Sequence, residues 1–193
     1  MARNLIPWTP SWGGVYTTNV TARPLDGMTT RRAPPGDAES VHALLVAAGE
    51  LLARQGFFNW TPAYPIDRVR RDIEEREVYV VIDGIRLVAT YTLGREPVHH
   101  STPEPWPEPE LAALYLNRLA VHPERQGEGL GSWCLARIAE YCRSSGASAV
   151  RCDVLAANRP LCAFYERHGY IERGRRSRHG HEFSCYELLT TSD

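Results

Sequence analysis

Two clusters of residues in this chain combine the types and the spacing that chemistry requires. The first is Val121-His-Pro-Glu-Arg-Gln126-Gly127-Glu128-Gly129-Leu130-Gly131, followed by Ser132. Glycines let a backbone approach an anion closely, and the N–H groups at a helix N-terminus, reinforced by the helix dipole, bind phosphate oxygens. A turn of this kind between a strand and a helix suits a pyrophosphate. The second cluster is Asn158-Arg-Pro-Leu-Cys-Ala-Phe-Tyr165-Glu-Arg-His-Gly169-Tyr170. Asn158 is a good helix N-cap with Pro160 in the first turn, and the offset to Tyr165 returns it to nearly the same helix face two turns later. An amide and a phenol then point the same way, and a phenol with an ordinary pKa of about 10 is a reasonable proton donor to a thiolate.

Spacing chooses among nucleotide loops. The P-loop requires G-x-x-x-x-G-K-[ST], and no lysine stands near. The dinucleotide fingerprint G-x-G-x-x-G would want a glycine where Ser132 or Cys134 stands. What remains, Gln126-x-x-Gly129-x-Gly131, resembles the [QR]-x-x-G-x-[GA] pyrophosphate loop of the GNAT superfamily of N-acetyltransferases, although Gly-x-Gly after a strand also makes a plain tight turn. The run from Asn158 to Tyr170 resembles the same superfamily's second signature: an Asn starting a helix, a Tyr two turns on, then Gly-aromatic leading into a strand. Tyr165 read without the resemblance is an amphipathic core tyrosine. The resemblance spans residues 29 to 190, with its specificity concentrated in 114 to 175.

The resemblance implies acetyl-CoA as co-substrate. It places Gln126, Gly127, Glu128, Gly129, Leu130, Gly131 and Ser132 at the pyrophosphate, Asn158 on the pantetheine arm, and Tyr165 beside the thioester sulfur, where it protonates the departing thiolate. It also makes residues 115 to 121 a central strand splayed from its neighbour, with main-chain groups of Leu119, Ala120 and Val121 holding the acetyl carbonyl and the pantetheine. A backbone N–H there would stabilise an oxyanion.

Members of the superfamily differ in their general base. An acidic residue five before the motif Asn falls on Asp153, which also reads as a structural strand carboxylate. The glutamate that others carry on the central strand is Tyr115 here. Glu108, Glu110, His99 and His100 are further candidates. Acceptor recognition in this superfamily falls to the segment between the first two helices, with Phe57, Phe58, Trp60 and Tyr64, and to the acidic loop that carries Trp106. Phe58, Trp60 and Tyr115 are the substrate candidates. Aromatic walls with glutamates would suit an amine on an apolar or aromatic body, while core aromatics and solvated acidic surface explain the same residues. Cys134 and Cys142 fall inside a helix, where a thiolate is poorly solvated, so direct transfer in a ternary complex is expected rather than an acyl-cysteine.

The expected acceptor is a primary amine of a small molecule. The same machinery could serve a protein or peptide amine, and a non-catalytic acyl-CoA sensor would keep the loop without needing the phenol. A nucleotide-dependent kinase or ligase lacks both the lysine and a magnesium carboxylate set.

These residues need elements to position them. Asp37 is placed to cap a helix whose Val41, Leu44, Leu45, Ala48 and Leu52 share a face, and a second helix runs over 66–76. Strands over 78–82 and 85–93 meet at the turn pair Asp83-Gly84 as an antiparallel hairpin. Five prolines and four glutamates in residues 96–110 leave a stiff acidic loop before a strand over 111–121. A helix follows Gly131, then a strand over 149–155, a helix over 159–168, and two strands around a turn near 173–180. With a first strand over 29–33, this order predicts an α/β (α+β) class with a mixed, mostly antiparallel central sheet and helices on both faces, and the resemblance implies that this is the GNAT fold. Residues 1–28, rich in Pro and Gly, read as an extension, and 29–190 as a single domain.

The chain of 193 residues suits one domain, and its 22 Lys and Arg against 23 Asp and Glu create no global field for nucleic acid or an anionic membrane. No membrane span or signal peptide is evident, so a cytoplasmic protein is expected, and a homodimer is compatible with the sequence. The five cysteines form no CxxC pair. His179, His181 and Cys185 match no common zinc spacing, and no metal is expected.

Overall fold

The computed structural model describes residues 25–97 and 105–190. The strands are β1 (Met28–Arg32), β2 (Glu77–Asp83), β3 (Arg86–Gly94), β4 (Ala113–Val121), β5 (Ala149–Leu155), β6 (Ile171–Arg178) and β7 (His181–Leu189), with the inner strands β3 and β5 buried along nearly their whole length. They make one sheet in the order β1-β2-β3-β4-β5-β7-β6. Only β4 and β5 pair in parallel; the other pairs are antiparallel. The fold is therefore the mixed, mostly antiparallel sheet expected from the sequence.

Helices cover both faces. On one, α1 (Ala38–Arg54) and α2 (Ile66–Glu75) bury Val41, Leu44, Leu45, Val69 and Ile73 against Val78 and Val80. On the other, α3 (Leu130–Ser144) and α4 (Arg159–Arg167) bury Leu130, Leu135, Ile138 and Tyr165 against Val81, Leu114 and Val150. Neighbouring Val80 and Val81 thus face opposite cores, as strand alternation requires. Ahead of β1, Leu25 packs on the second of these cores; residues 1–24 of the proposed extension lie outside the described residues.

Two local expectations change. The turn of the last hairpin is not spread over 173–180: β6 runs to Arg178, paired with His181, and only His179 and Gly180 make the turn, with φ of 49° and 77°. Positive φ at both central residues is the two-residue turn whose twist matches flanking strands. Gly174 is instead where the register of β6 against β7 shifts, a bulge in which a Cβ would stand 2.7 Å from Pro105. Asp37 occupies the cap position of α1, but makes no capping bond; its carboxylate accepts from Arg31 Nη1 at 2.6 Å.

Candidate active site

The site begins where the parallel pair ends. β4 and β5 are in register only at Ala113 with Ala149, Leu114 with Val150, and Tyr115 with Arg151. Beyond these the strands part, and residues 116–121 and 152–155 line a cavity of about 600 Å³. Backbone groups of β4 on that side have no ladder partner, which leaves polar atoms free for something extended. Leu119, Ala120 and Val121 all line the cavity.

At one end the cavity meets the glycine loop. Gly127 and Gly129 hold φ of 82° and 86°, and Gly129 is the N-cap of α3 with no side-chain cap. The first N–H groups of α3 therefore have no intrahelical or side-chain acceptor. Gln126, Gly127, Gly129, Leu130, Gly131 and Ser132 line the cavity there, whereas Glu128 turns away. Its carboxylate accepts from Arg125 Nε at 2.6 Å, and Arg125 Nη1 donates to Asp83 at 2.7 Å. Those bonds raise the Arg125 pKa further, through Glu128 first. Arg125 lines the cavity, and its buried Nη2 has no hydrogen-bond partner among the described residues. Free helix amides and two left-handed glycines together fit a polyanion.

The second motif stands on the facing wall. Asn158 accepts from the Leu161 amide at 3.1 Å, capping α4, and lines the cavity together with Tyr165. Tyr165 is enclosed by aromatic rings: Phe164 at 5.5 Å, Tyr170 at 5.2 Å and Tyr186 at 6.0 Å. Its hydroxyl makes no hydrogen bond among the described residues. Burial pushes the phenol pKa well above its ordinary value, and the nearby Cys152 thiol adds to the shift. The proton therefore stays on oxygen at neutral pH. Cys152 also lines the cavity, but burial raises its pKa well above the ordinary thiol range, as it raises Cys134 to about 12. Neither is an activated nucleophile.

At the other end stand Trp60, Tyr64, Asp153, Arg118, Arg178 and Phe183. Asp153 accepts from Arg176 Nη2 at 2.9 Å and has Arg178 Nη1 at 3.4 Å. Of the three expected substrate residues, Trp60 lines the cavity. Phe58 does not line the cavity and is 56% exposed. Tyr115 is likewise outside it, because its hydroxyl turns toward the buried Arg151, which reaches it at 3.3 Å. Arg151 also donates to Glu187 at 2.9 Å and to the Glu108 carbonyl at 2.6 Å, and lies 5.0 Å from the Trp106 ring. The acidic loop is thus anchored to the sheet by its backbone and its buried Trp106, leaving Glu108 and Glu110 exposed away from the cavity. His99 and His100 lie outside the described residues. Among the described residues no group of three or more His, Cys, Asp or Glu is placed to hold a metal ion.

Sequence reasoning missed Arg118, Arg125 and Arg178. Arg125 sits inside the glycine motif and was readable as a loop residue. Arg118 comes from a bulge in β4: Thr92 faces Asn117 and Thr90 faces Ala120, so Arg118 and Leu119 share one partner, and Arg118 takes φ of 51°. No local signal announces that bulge.

The fold and this site define a class of acyl-transfer protein, and comparison names it. The sequence profile of the Acetyltransferase (GNAT) family matches residues 45–170, and the chain belongs to that family; it is an acetyltransferase. It is 29% identical over 137 residues to the uncharacterized N-acetyltransferase YesJ of Bacillus subtilis (strain 168), covering 69% of this chain and 76% of that protein. A GNAT-family acetyltransferase of Streptococcus agalactiae has the same fold at a TM-score of 0.74 and 22% identity, over 86% of this chain and 97% of that one. An acetyltransferase of Salmonella typhimurium, solved with its cofactor acetyl-CoA, matches at a TM-score of 0.63 and 16% identity, over 86% and 95%.

Proposed function

We propose that the protein transfers an acetyl group from acetyl-CoA directly to a primary amine of a small molecule, within a ternary complex. The observation that carries this reading is one cavity, crossing the gap between β4 and β5, that joins the amide-rich N-terminus of α3 to Asn158 and Tyr165. When bound, acetyl-CoA supplies the activated acyl group and the thiolate leaving group. The loop amides bind its diphosphate in the field of Arg125, Asn158 and the backbone groups of 119–121 that face away from β3 align the pantetheine arm, and a β4 amide polarises the thioester carbonyl.

The amine attacks as its neutral form, forming a C–N bond as the C–S bond breaks. Asp153 takes the amine's proton, its carboxylate fixed by Arg176 and Arg178, and Tyr165 hydrogen-bonds the sulfur and delivers a proton to it. Buried, high-pKa thiols favour direct attack over an acyl-cysteine. All five cysteines are unpaired and buried, in keeping with a reducing cytoplasm. Among the described residues no helix is long and apolar enough to cross a membrane.

Isothermal titration with acetyl-CoA, followed by thiol release over a panel of amines, tests the reading. Saturable binding and amine-dependent release that falls in Tyr165→Phe support it. Release with peptide amines alone would move the acceptor to a protein, binding without release on any amine would leave a sensor, and absence of binding would end the proposal.

A further inference from the structure

Arg118 points the opposite way from what its place in β4 would suggest. Leu114 and Leu116 belong to the core beneath α3 and α4, and plain alternation would send residue 118 there as well. The bulge reverses the phase: Arg118 and Leu119 share one partner on β3, Arg118 takes φ of 51°, and its side chain, like Ala120, faces α1 and α2. Bulges beside active sites re-aim side chains in this way. On that face Nη1 of Arg118 pairs with Asp72 of α2, and the guanidinium carbon lies 4.5 Å from the Tyr64 ring centroid. The side chain is 9% exposed and its Nη2 is buried, so the cation is built into the wall and is not a donor to a ligand.

Tyr64 belongs to the segment between α1 and α2, and with Trp60 it lines the acceptor end of the cavity. Two contacts press this segment onto α1. The Tyr64 carbonyl accepts from His42 Nε2 at 2.8 Å, and a Cβ on Gly49 would stand 3.3 Å from the Trp60 carbonyl oxygen. Both fix the wall to α1. Arg118 fixes it to β4, one residue ahead of Leu119, Ala120 and Val121, the stretch that holds the acetyl carbonyl and the pantetheine in the proposed complex. A planar guanidinium that stacks on a ring while bonded to a carboxylate sets the orientation of both partners, which an ammonium does not.

We infer that Arg118 is a positioning residue: it sets the wall of Tyr64 and Trp60 against the acyl-bearing strand, and so decides where the amine stands relative to the thioester while touching neither. This rests on the acetyl transfer proposed above and deepens it. Register between wall and strand matters because a reactant misplaced by about 1 Å can lose about 10²-fold in rate.

The test compares the full-length wild type with Arg118→Lys, Tyr64→Leu and the double variant. Acetyl-CoA affinity is titrated, kcat/KM is measured by thiol release with phenethylamine, tyramine, benzylamine and putrescine, and hydrogen exchange is followed over residues 57–65. Arg118→Lys keeps a charge for Asp72 and loses the stacked plane. It should lower kcat/KM for the best of these amines about 10-fold and speed exchange in 57–65 by about the same factor, with acetyl-CoA affinity unchanged. Tyr64→Leu should also lower kcat/KM, and because the two residues act through one contact, the double variant should be no slower than Tyr64→Leu alone. An unchanged kcat/KM in Arg118→Lys, losses that multiply in the double variant, or weakened acetyl-CoA binding in Arg118→Lys would overturn the inference. Arg118→Lys alone decides should Tyr64→Leu fold poorly. A wild type that binds acetyl-CoA but acetylates none of the amines would sink the proposed acceptor, and unchanged exchange in Arg118→Lys would then overturn the role of Arg118. A wild type that does not bind acetyl-CoA would end the transfer itself, and this inference with it.

Discussion

Arg125 donates to Glu128 at 2.6 Å across one turn of the glycine loop, so these two side chains brace the loop from within. The same guanidinium reaches Asp83 at the end of β2. The loop is therefore tied to the sheet by a buried cation with two carboxylate partners.

Replacing Arg125 by Ala would leave Asp83 and Glu128 without their cation and the loop without its tie. Breaking a well-buried pair costs about 3–5 kcal/mol, and these carboxylates are partly exposed, so about 2 kcal/mol is expected here. The KM for acetyl-CoA should rise about 10-fold with a smaller change in kcat. Glu128→Gln should be milder on both counts, since the Asp83 bond survives. Denaturant titration and initial rates check the pair.

Asn158 has two separable parts. Its carbonyl oxygen caps α4 through the Leu161 amide, and its amide group remains for a ligand in the cavity. Asn158→Ala should lose the cap, about 1 kcal/mol, and weaken acetyl-CoA binding. Asn158→Asp keeps an accepting oxygen at the cap and should retain stability while still losing affinity. Equal affinity in Asn158→Asp and wild type would remove Asn158 from the cofactor site.

Much of this site was legible because its logic is local. The glycine loop and the Asn158 to Tyr165 spacing lie within single strand-turn-helix units, where backbone conformation and helix period speak through the sequence. What stayed hidden depends on partners brought from afar. Asp153 meets Arg176 only because β5 and β6 flank β7, Tyr115 is drawn from the cavity by Arg151, and Trp106 is buried beneath that guanidinium. Arg118 required a bulge whose cause is the mismatch between β3 and β4, visible in neither strand alone.

Buried acids that ionise only on unfolding should make stability fall at alkaline pH. Burial raises Tyr91 and Cys134 to about 12 and carries Cys152, Tyr165 and Tyr170 well above their ordinary values. With folded pKa values raised, their contribution is complete below the unfolded values of about 8.5 for thiols and 10 for phenols, and is lost as pH rises toward the folded values. Each group subtracts about 1.4 kcal/mol per pH unit within that window. Urea midpoints should agree at pH 7 and 8 and drop clearly by pH 10.5. An unchanged midpoint would mean these groups are solvated in the native state.

Tyr165 offers the sharpest separation of chemistry from binding. Its ring is held by Phe164, Tyr170 and Tyr186, contacts that Tyr165→Phe preserves, so the variant should fold with near-native stability. Loss of a proton donor to the leaving sulfur should lower kcat about 10²- to 10⁴-fold and leave the acetyl-CoA dissociation constant unchanged. Because burial holds the phenol pKa well above its ordinary value, the wild-type rate should show no decline from phenol ionisation below about pH 10. An alkaline limb near pH 9 that vanishes in Tyr165→Phe would instead place the hydroxyl in a wetter setting, and a variant with undiminished kcat would assign the proton to water.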